Sequence, residues 1–215
     1  MRPRLTRRRH RSTPLPDVAT NGRRATRAKR RGGWACTVAL ALLVLSAARA
    51  DAEPRVPAIG DWELGLQAGY LWGVTNNAQS IMFLPRAGRV MWVGGDAHPG
   101  FVTFGIEGLF SHFFETNSAM ELGGGPLLRY RMVREWVQPY AEVGVGMLYN
   151  DLKNFSLGSR VLFSVSGAVG MQIPVGERFG ITTGYRFRHI SNAGQSSINP
   201  GLNANVVTLG VSYLY

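Results

Sequence analysis

His189 and Ser191 stand two residues apart in H-I-S-N-A-G, residues 189–194, with Asn192 next and a Gly/Pro/Asn-rich segment behind. On a β-strand, residues i and i+2 share a face and lie about 6.5 Å apart along the chain. Side chains that lean together close that gap to a hydrogen bond, and a histidine in reach of a serine hydroxyl is the minimum for a base-activated nucleophile. No other constellation competes. His112-Phe113-Phe114-Glu115 lacks the companions of a metal site. Gly123, Gly124 and Gly125, like Gly144-Val145-Gly146, lead into no helix and so are not phosphate loops. No metal or organic cofactor is expected.

The strand that carries this pair belongs to a repeating pattern. After residue 51 the chain is a succession of alternating segments separated by turn-forming residues, with little helical periodicity. We place strands at 61–71, 80–94, 100–112, 119–132, 136–148, 157–173, 178–190 and 205–215. Pro85 and Gly88 interrupt the second as a bulge or turn. Glycines inside the strands suit the tight curvature of a narrow barrel. Aromatics gather at segment ends (Trp62, Tyr70, Trp72, Tyr149, Tyr213, Tyr215), as in the interfacial girdles of membrane barrels. The fold class expected is therefore all-β: an eight-stranded antiparallel transmembrane β-barrel. An edge strand of a soluble sandwich or lipocalin-like barrel is the alternative for the last segment.

Charge divides the chain in two. Residues 1–50 carry thirteen Lys/Arg against Asp17 alone, whereas residues 51–215 hold eleven basic and twelve acidic residues. The basicity thus belongs to a leader, and the near-neutral domain gives no reason to expect nucleic acid as a partner. The leader has a basic region to Arg31, an apolar run from Trp34 to Leu45 that is too short to span a bilayer, and Ala48-Arg49-Ala50 as a cleavage site. We take 1–50 as a signal peptide with a long basic leader and 51–215 as an outer-membrane barrel. Cys36, the lone cysteine, falls in the leader, so the mature protein has no thiol for disulfides or metals.

Parity decides which way the pair faces. In the seventh segment Phe179, Ile181, Tyr185, Phe187, His189 and Ser191 share one face, and Arg186 and Arg188 the other. The apolar face must meet lipid. The arginines then turn inward, where Glu63, Glu107, Glu121 or Glu142 can pair with them. With both termini periplasmic, the seventh strand ends at the cell surface, where the outer leaflet is lipopolysaccharide. A substrate would arrive sideways, as a lipid, and polar groups on a lipid face are functional suspects.

H-I-S-N-A-G at the end of the seventh of eight strands resembles the outer-membrane lipid A 3-O-deacylase (PagL-type) family. The barrel layout, the leader and the terminal aromatic strand agree with it over most of residues 55–215. The resemblance implies His189 as general base, Ser191 as nucleophile and Asn192 as a contributor to the oxyanion hole. It also marks a departure. The best-known members have Glu twelve residues after the nucleophile, where this chain has Asn203. An Asn oxygen can still accept from the imidazole N–H, but it lacks the charge that stabilises an imidazolium. Asn205, two residues on, is a weaker candidate, and Asp151, Lys153 and Asn154 sit on a loop that can meet sugar or phosphate. The function expected is a serine esterase removing an acyl chain, 3-O by resemblance, from lipid A of lipopolysaccharide. A non-catalytic barrel for adhesion or membrane integrity is the alternative. Expected partners are lipid A itself and the assembly machinery that reads the terminal strand. The apolar exterior suits a monomer or a homodimer.

Overall fold

The computed structural model describes residues 55–74, 77–96, 98–114, 119–150 and 157–215. The leader and the loop residues Asp151, Lys153 and Asn154 lie outside them. Eight strands follow in order: β1 (Trp62–Gly73), β2 (Gln79–Val93), β3 (Gly100–Phe113), β4 (Ala119–Met132), β5 (Gln138–Asn150), β6 (Val161–Val175), β7 (Phe179–Ser191) and β8 (Leu202–Leu214). Each pairs antiparallel with its neighbour, and β1 closes on β8 from Glu63↔Leu214 to Gly73↔Ala204. Closure leaves no free sheet edge, the condition for a sheet to cross a bilayer.

Period-two alternation explains the wall. Along β8 the burial alternates, with Leu202, Ala204 and Val206 inside and Val207, Leu209 and Val211 outside. Large apolar side chains such as Phe83, Phe104, Leu122, Val143, Val169 and Phe187 are exposed on the outer surface, as a lipid-facing wall requires. Strands approach closely where glycines face each other: Gly88 pairs with Gly105 across β2 and β3, and a Cβ on Gly88 would lie 2.7 Å from Thr103 Cγ2.

The interior is layered. Leu71, Phe113, Leu157, Leu162, Ile190 and Leu202 form part of an apolar plug toward the end where β7 finishes. Val90, Phe101 and Leu214 form a second, smaller apolar cluster at the end that holds the termini. Between them the lumen is filled mainly by arginines and glutamates, with Gln67, Gln172 and Thr182 among them. Glu142 accepts from Arg129 at 2.6 Å, Arg186 at 2.7 Å and Arg86 at 3.1 Å. Arg188 reaches Glu121 at 2.8 Å, Arg186 also grips Glu107, and Glu63 takes both Arg129 and Arg131. The expected inward pairing of Arg186 and Arg188 is thus realised. Removing either partner would strand a buried charge.

Three details of the sequence reading change. Pro85 does not interrupt β2: it pairs with Leu66 of β1, and on its other side faces Gly108, whose missing side chain leaves room for the ring (a Cβ there would lie 3.2 Å from Pro85 Cγ). The irregularity in β2 falls instead between Val90 and Trp92. β6 starts at Val161 rather than 157, and β8 starts at Leu202 rather than 205.

Connections at the two ends differ. Residues 94–99, 133–137 and 176–178 join strands at the end that holds both termini of the barrel, and the longest connections, 151–160 and 192–201, lie at the other. Short turns on the periplasmic side and longer loops outside are the usual arrangement in outer-membrane barrels.

Candidate active site

β7 and β8 bring the site together through register alone. His189 and Asn203 are directly opposed across the pair, so the thirteen residues between them close into a hairpin with a ten-residue loop, 192–201. Opposed side chains on one face of an antiparallel pair are natural partners. Here His189 Nδ1 lies 2.7 Å from Asn203 Oδ1. An amide oxygen only accepts, so Nδ1 carries the proton and Nε2 is left as the acceptor, the form a general base needs. Asn203 is held from its other side as well, because its carbonyl accepts from the Val74 N–H at 2.8 Å.

Gly201 fits against the histidine. Its φ of +66° lies in the left-handed region, and a Cβ there would stand 3.1 Å from His189 Cε1. A side chain there would press on the Cε1–Nε2 side of the ring. Asn199-Pro200-Gly201 reads from the sequence as a turn, and nothing local to it marks the approach of Gly201 to the ring.

Ser191 ends β7 opposite Phe163 of β6, half-buried like His189 and on the same outward face. Among the described residues its hydroxyl makes no hydrogen bond. A catalytic pair is often loose without substrate and tightens only when the reacting group is in place.

Asn192 is fully buried, and its side chain is occupied by the loop. The amide donates to the Leu157 carbonyl at 2.9 Å and the Ile198 carbonyl at 2.9 Å, with Ser196 farther at 3.4 Å. Its oxygen accepts from Gly194 N–H at 2.9 Å, an Asx turn. Its own N–H donates to Asn199 Oδ1 at 3.1 Å. In this conformation the amide is not presented to Ser191. Its work is to tie loop 192–201 to the segment 157–160, which Ser159 Oγ also does through Gln195 Oε1 at 3.1 Å. Beside it, Ala193 holds φ +50° and Gly194 φ +82°. Among the described residues the Ala193 N–H is bonded to nothing.

Asn205 lies one outward position farther along β8 and turns to another partner: Tyr185 donates its hydroxyl to Asn205 Oδ1 at 2.5 Å. Tyr185 and Phe187 also form one wall of an apolar groove of ≈ 540 Å³ on the outer surface, continued by Gly167, Val169, Val143 and Leu128. That groove lies two to four residues below His189 on the lipid-facing wall. No group of three or more metal-ligating side chains occurs among the described residues.

Comparison with known proteins adds the following. A family model described as Lipid A 3-O-deacylase (PagL) matches residues 58–212. No curated protein matches by sequence. Of the solved structures, the outer membrane enzyme PagL is similar at 18% identity and TM-score 0.60, over 68% of this chain and 97% of that one. Neisserial surface protein A (NspA) is similar at 13% identity and TM-score 0.53, over 72% of this chain and 96% of that one. At these identities the two structures speak to the fold.

Proposed function

The chain belongs to the lipid A 3-O-deacylase (PagL) family, and on that footing we propose that it is an outer-membrane serine esterase that removes the 3-O-linked acyl chain from lipid A. The observation that carries the reading is the cross-strand His189–Asn203 hydrogen bond of 2.7 Å, formed on the lipid-facing side two residues from Ser191.

In this mechanism His189 Nε2 takes the proton of Ser191 Oγ as the oxygen bonds to the ester carbonyl carbon. The resulting oxyanion is met by N–H groups at the start of loop 192–201, whose shape Asn192 holds; the unbonded N–H of Ala193 is the nearest in sequence. Collapse breaks the bond to the sugar oxygen, which receives the proton from Nε2. A water then gives its proton to Nε2 and attacks the acyl-enzyme, releasing the fatty acid and restoring Ser191. The apolar groove below His189 suits the acyl chain. The longer loops at the His189 end support its lying on the outer-leaflet side, where lipopolysaccharide lies.

The test is mass spectrometry of lipid A from Gram-negative cells expressing the full chain, beside a Ser191→Ala control. Loss of one hydroxyacyl chain, absent in the control, is expected. The unbonded Ser191 hydroxyl favours a second reading, a non-catalytic barrel of the same fold. Intact lipid A in both cultures, with the barrel folded and inserted, would establish that reading instead.

A further inference from the structure

We infer that the negative charge missing from the His189–Asn203 pair is brought by the substrate: a phosphate on the sugar that bears the scissile ester stabilises the His189 imidazolium, so turnover selects phosphorylated lipids. This rests on the esterase reading above and adds to it a requirement on the substrate.

The starting point is what happens to charge when Nε2 takes the serine proton. The ring becomes a cation, and in a carboxylate triad the third member offsets it. Asn203 fixes the tautomer at 2.7 Å but is neutral. Among the described residues nothing nearby replaces the charge. Glu63, Glu107, Glu121 and Glu142 all point into the lumen and are paired with arginine. The outward side chains around the site are Phe163, Val165, Phe187 and Asn205, none of them acidic. Behind the strand the balance is adverse: the buried lumen holds Arg86, Arg129, Arg131, Arg186 and Arg188 against those four glutamates, an excess of one positive charge.

The site is open to an incoming anion. His189, Ser191 and Asn203 are each half-buried on the outer face. With Oδ1 engaged by His189, the Asn203 NH2 is left with no partner among the described residues. It offers donors where a carboxylate would repel a phosphate. Lipid A is a phosphorylated glucosamine disaccharide, so ester and phosphate arrive together on one headgroup. The phosphate keeps all its atoms: the proton moves only between Ser191 Oγ, Nε2 and the leaving sugar oxygen. A unit negative charge about 5–6 Å from the ring, at the effective dielectric of a protein surface, corresponds to about 100-fold in rate.

The experiment uses the purified full chain in mixed micelles, with bis-phosphorylated lipid A and the same lipid A stripped of phosphate. Wild type should turn over the phosphorylated form about 100-fold faster, in kcat rather than KM. Asn203→Asp, which puts a carboxylate on the same atoms, should speed the phosphate-free substrate and shrink the difference to a few fold. Asn203→Glu serves if the aspartate variant does not fold. Equal kcat for both substrates in wild type overturns the inference. So does an undiminished preference in the carboxylate variants, which would make the phosphate a binding contact only. Inorganic phosphate added to the stripped substrate should not restore the rate; if it does, the anion comes from solution and the substrate-borne charge is refuted. Failure of every protein on both substrates, with Ser191→Ala indistinguishable from wild type, would instead bring down the esterase reading beneath it.

Discussion

Replacing Asn192 by alanine separates two roles that the position can play. If its amide works by holding the loop, the cost can be counted from the bonds it makes. Three are short: to the Leu157 carbonyl, to the Ile198 carbonyl and from the Gly194 N–H, each at 2.9 Å. A hydrogen bond contributes about 1 kcal/mol net, and a partner left buried and unpaired costs about 1–3 kcal/mol. Asn192→Ala should therefore destabilise the closed loop by about 3–5 kcal/mol. The β7–β8 ladder below it, including the His189↔Asn203 pair, does not depend on those bonds. The loss should be local, with backbone amides of 192–199 exchanging hydrogen about 200- to 5,000-fold faster while strand amides keep their protection. Hydrogen exchange read by mass spectrometry measures this directly, and acyl release by the same sample should fall alongside. Asn192→Asp, which keeps the acceptor and loses both donors, should behave like alanine. A variant whose loop stays protected while hydrolysis disappears would refute the reasoning, because the amide would then be acting on the ester itself.

Two further outcomes follow from the packing. Gly201→Ala places a Cβ 3.1 Å from His189 Cε1 at a φ of +66°; the left-handed backbone alone costs about 1–2 kcal/mol. We expect a lower urea midpoint together with a several-fold drop in kcat as the ring is displaced, measured on the same refolded sample. Glu142→Ala removes the shared acceptor of Arg86, Arg129 and Arg186. It should cost about 3–5 kcal/mol in urea titrations of the barrel in vesicles.

Much of this architecture was legible because a strand has only two faces. Parity in 178–190 sent Arg186 and Arg188 inward and left His189 and Ser191 facing lipid, and the buried ion pairs bear this out. The eighth strand, expected from 205, proved to start at Leu202, and that longer strand is what sets Asn203 directly opposite His189. Pro85 was harder, since its tolerance depends on Gly108, a neighbour twenty-three residues away that only the strand register identifies. Asn192 shows where local reading stops. N-A-G signals an Asx turn, and the Gly194 bond is that turn. But Leu157, which receives the amide, was assigned to a strand, and nothing near Asn192 in the chain reveals a carbonyl thirty-five residues upstream.

The opposition of His189 and Asn203 across β7 and β8 also protects the site against misassembly. Side chains alternate with period two, so slipping the hairpin by one residue moves Asn203 out of reach of the ring. The same slip turns the wall inside out, sending Val207, Leu209 and Val211 into the arginine-filled lumen and Thr208 and Ser212 into lipid. The bilayer rejects that arrangement whether or not the site is ever used. Membrane insertion thus acts as a proofreader for the chemistry: a barrel that has settled with its apolar face outward has, by the same alignment, set Asn203 opposite His189.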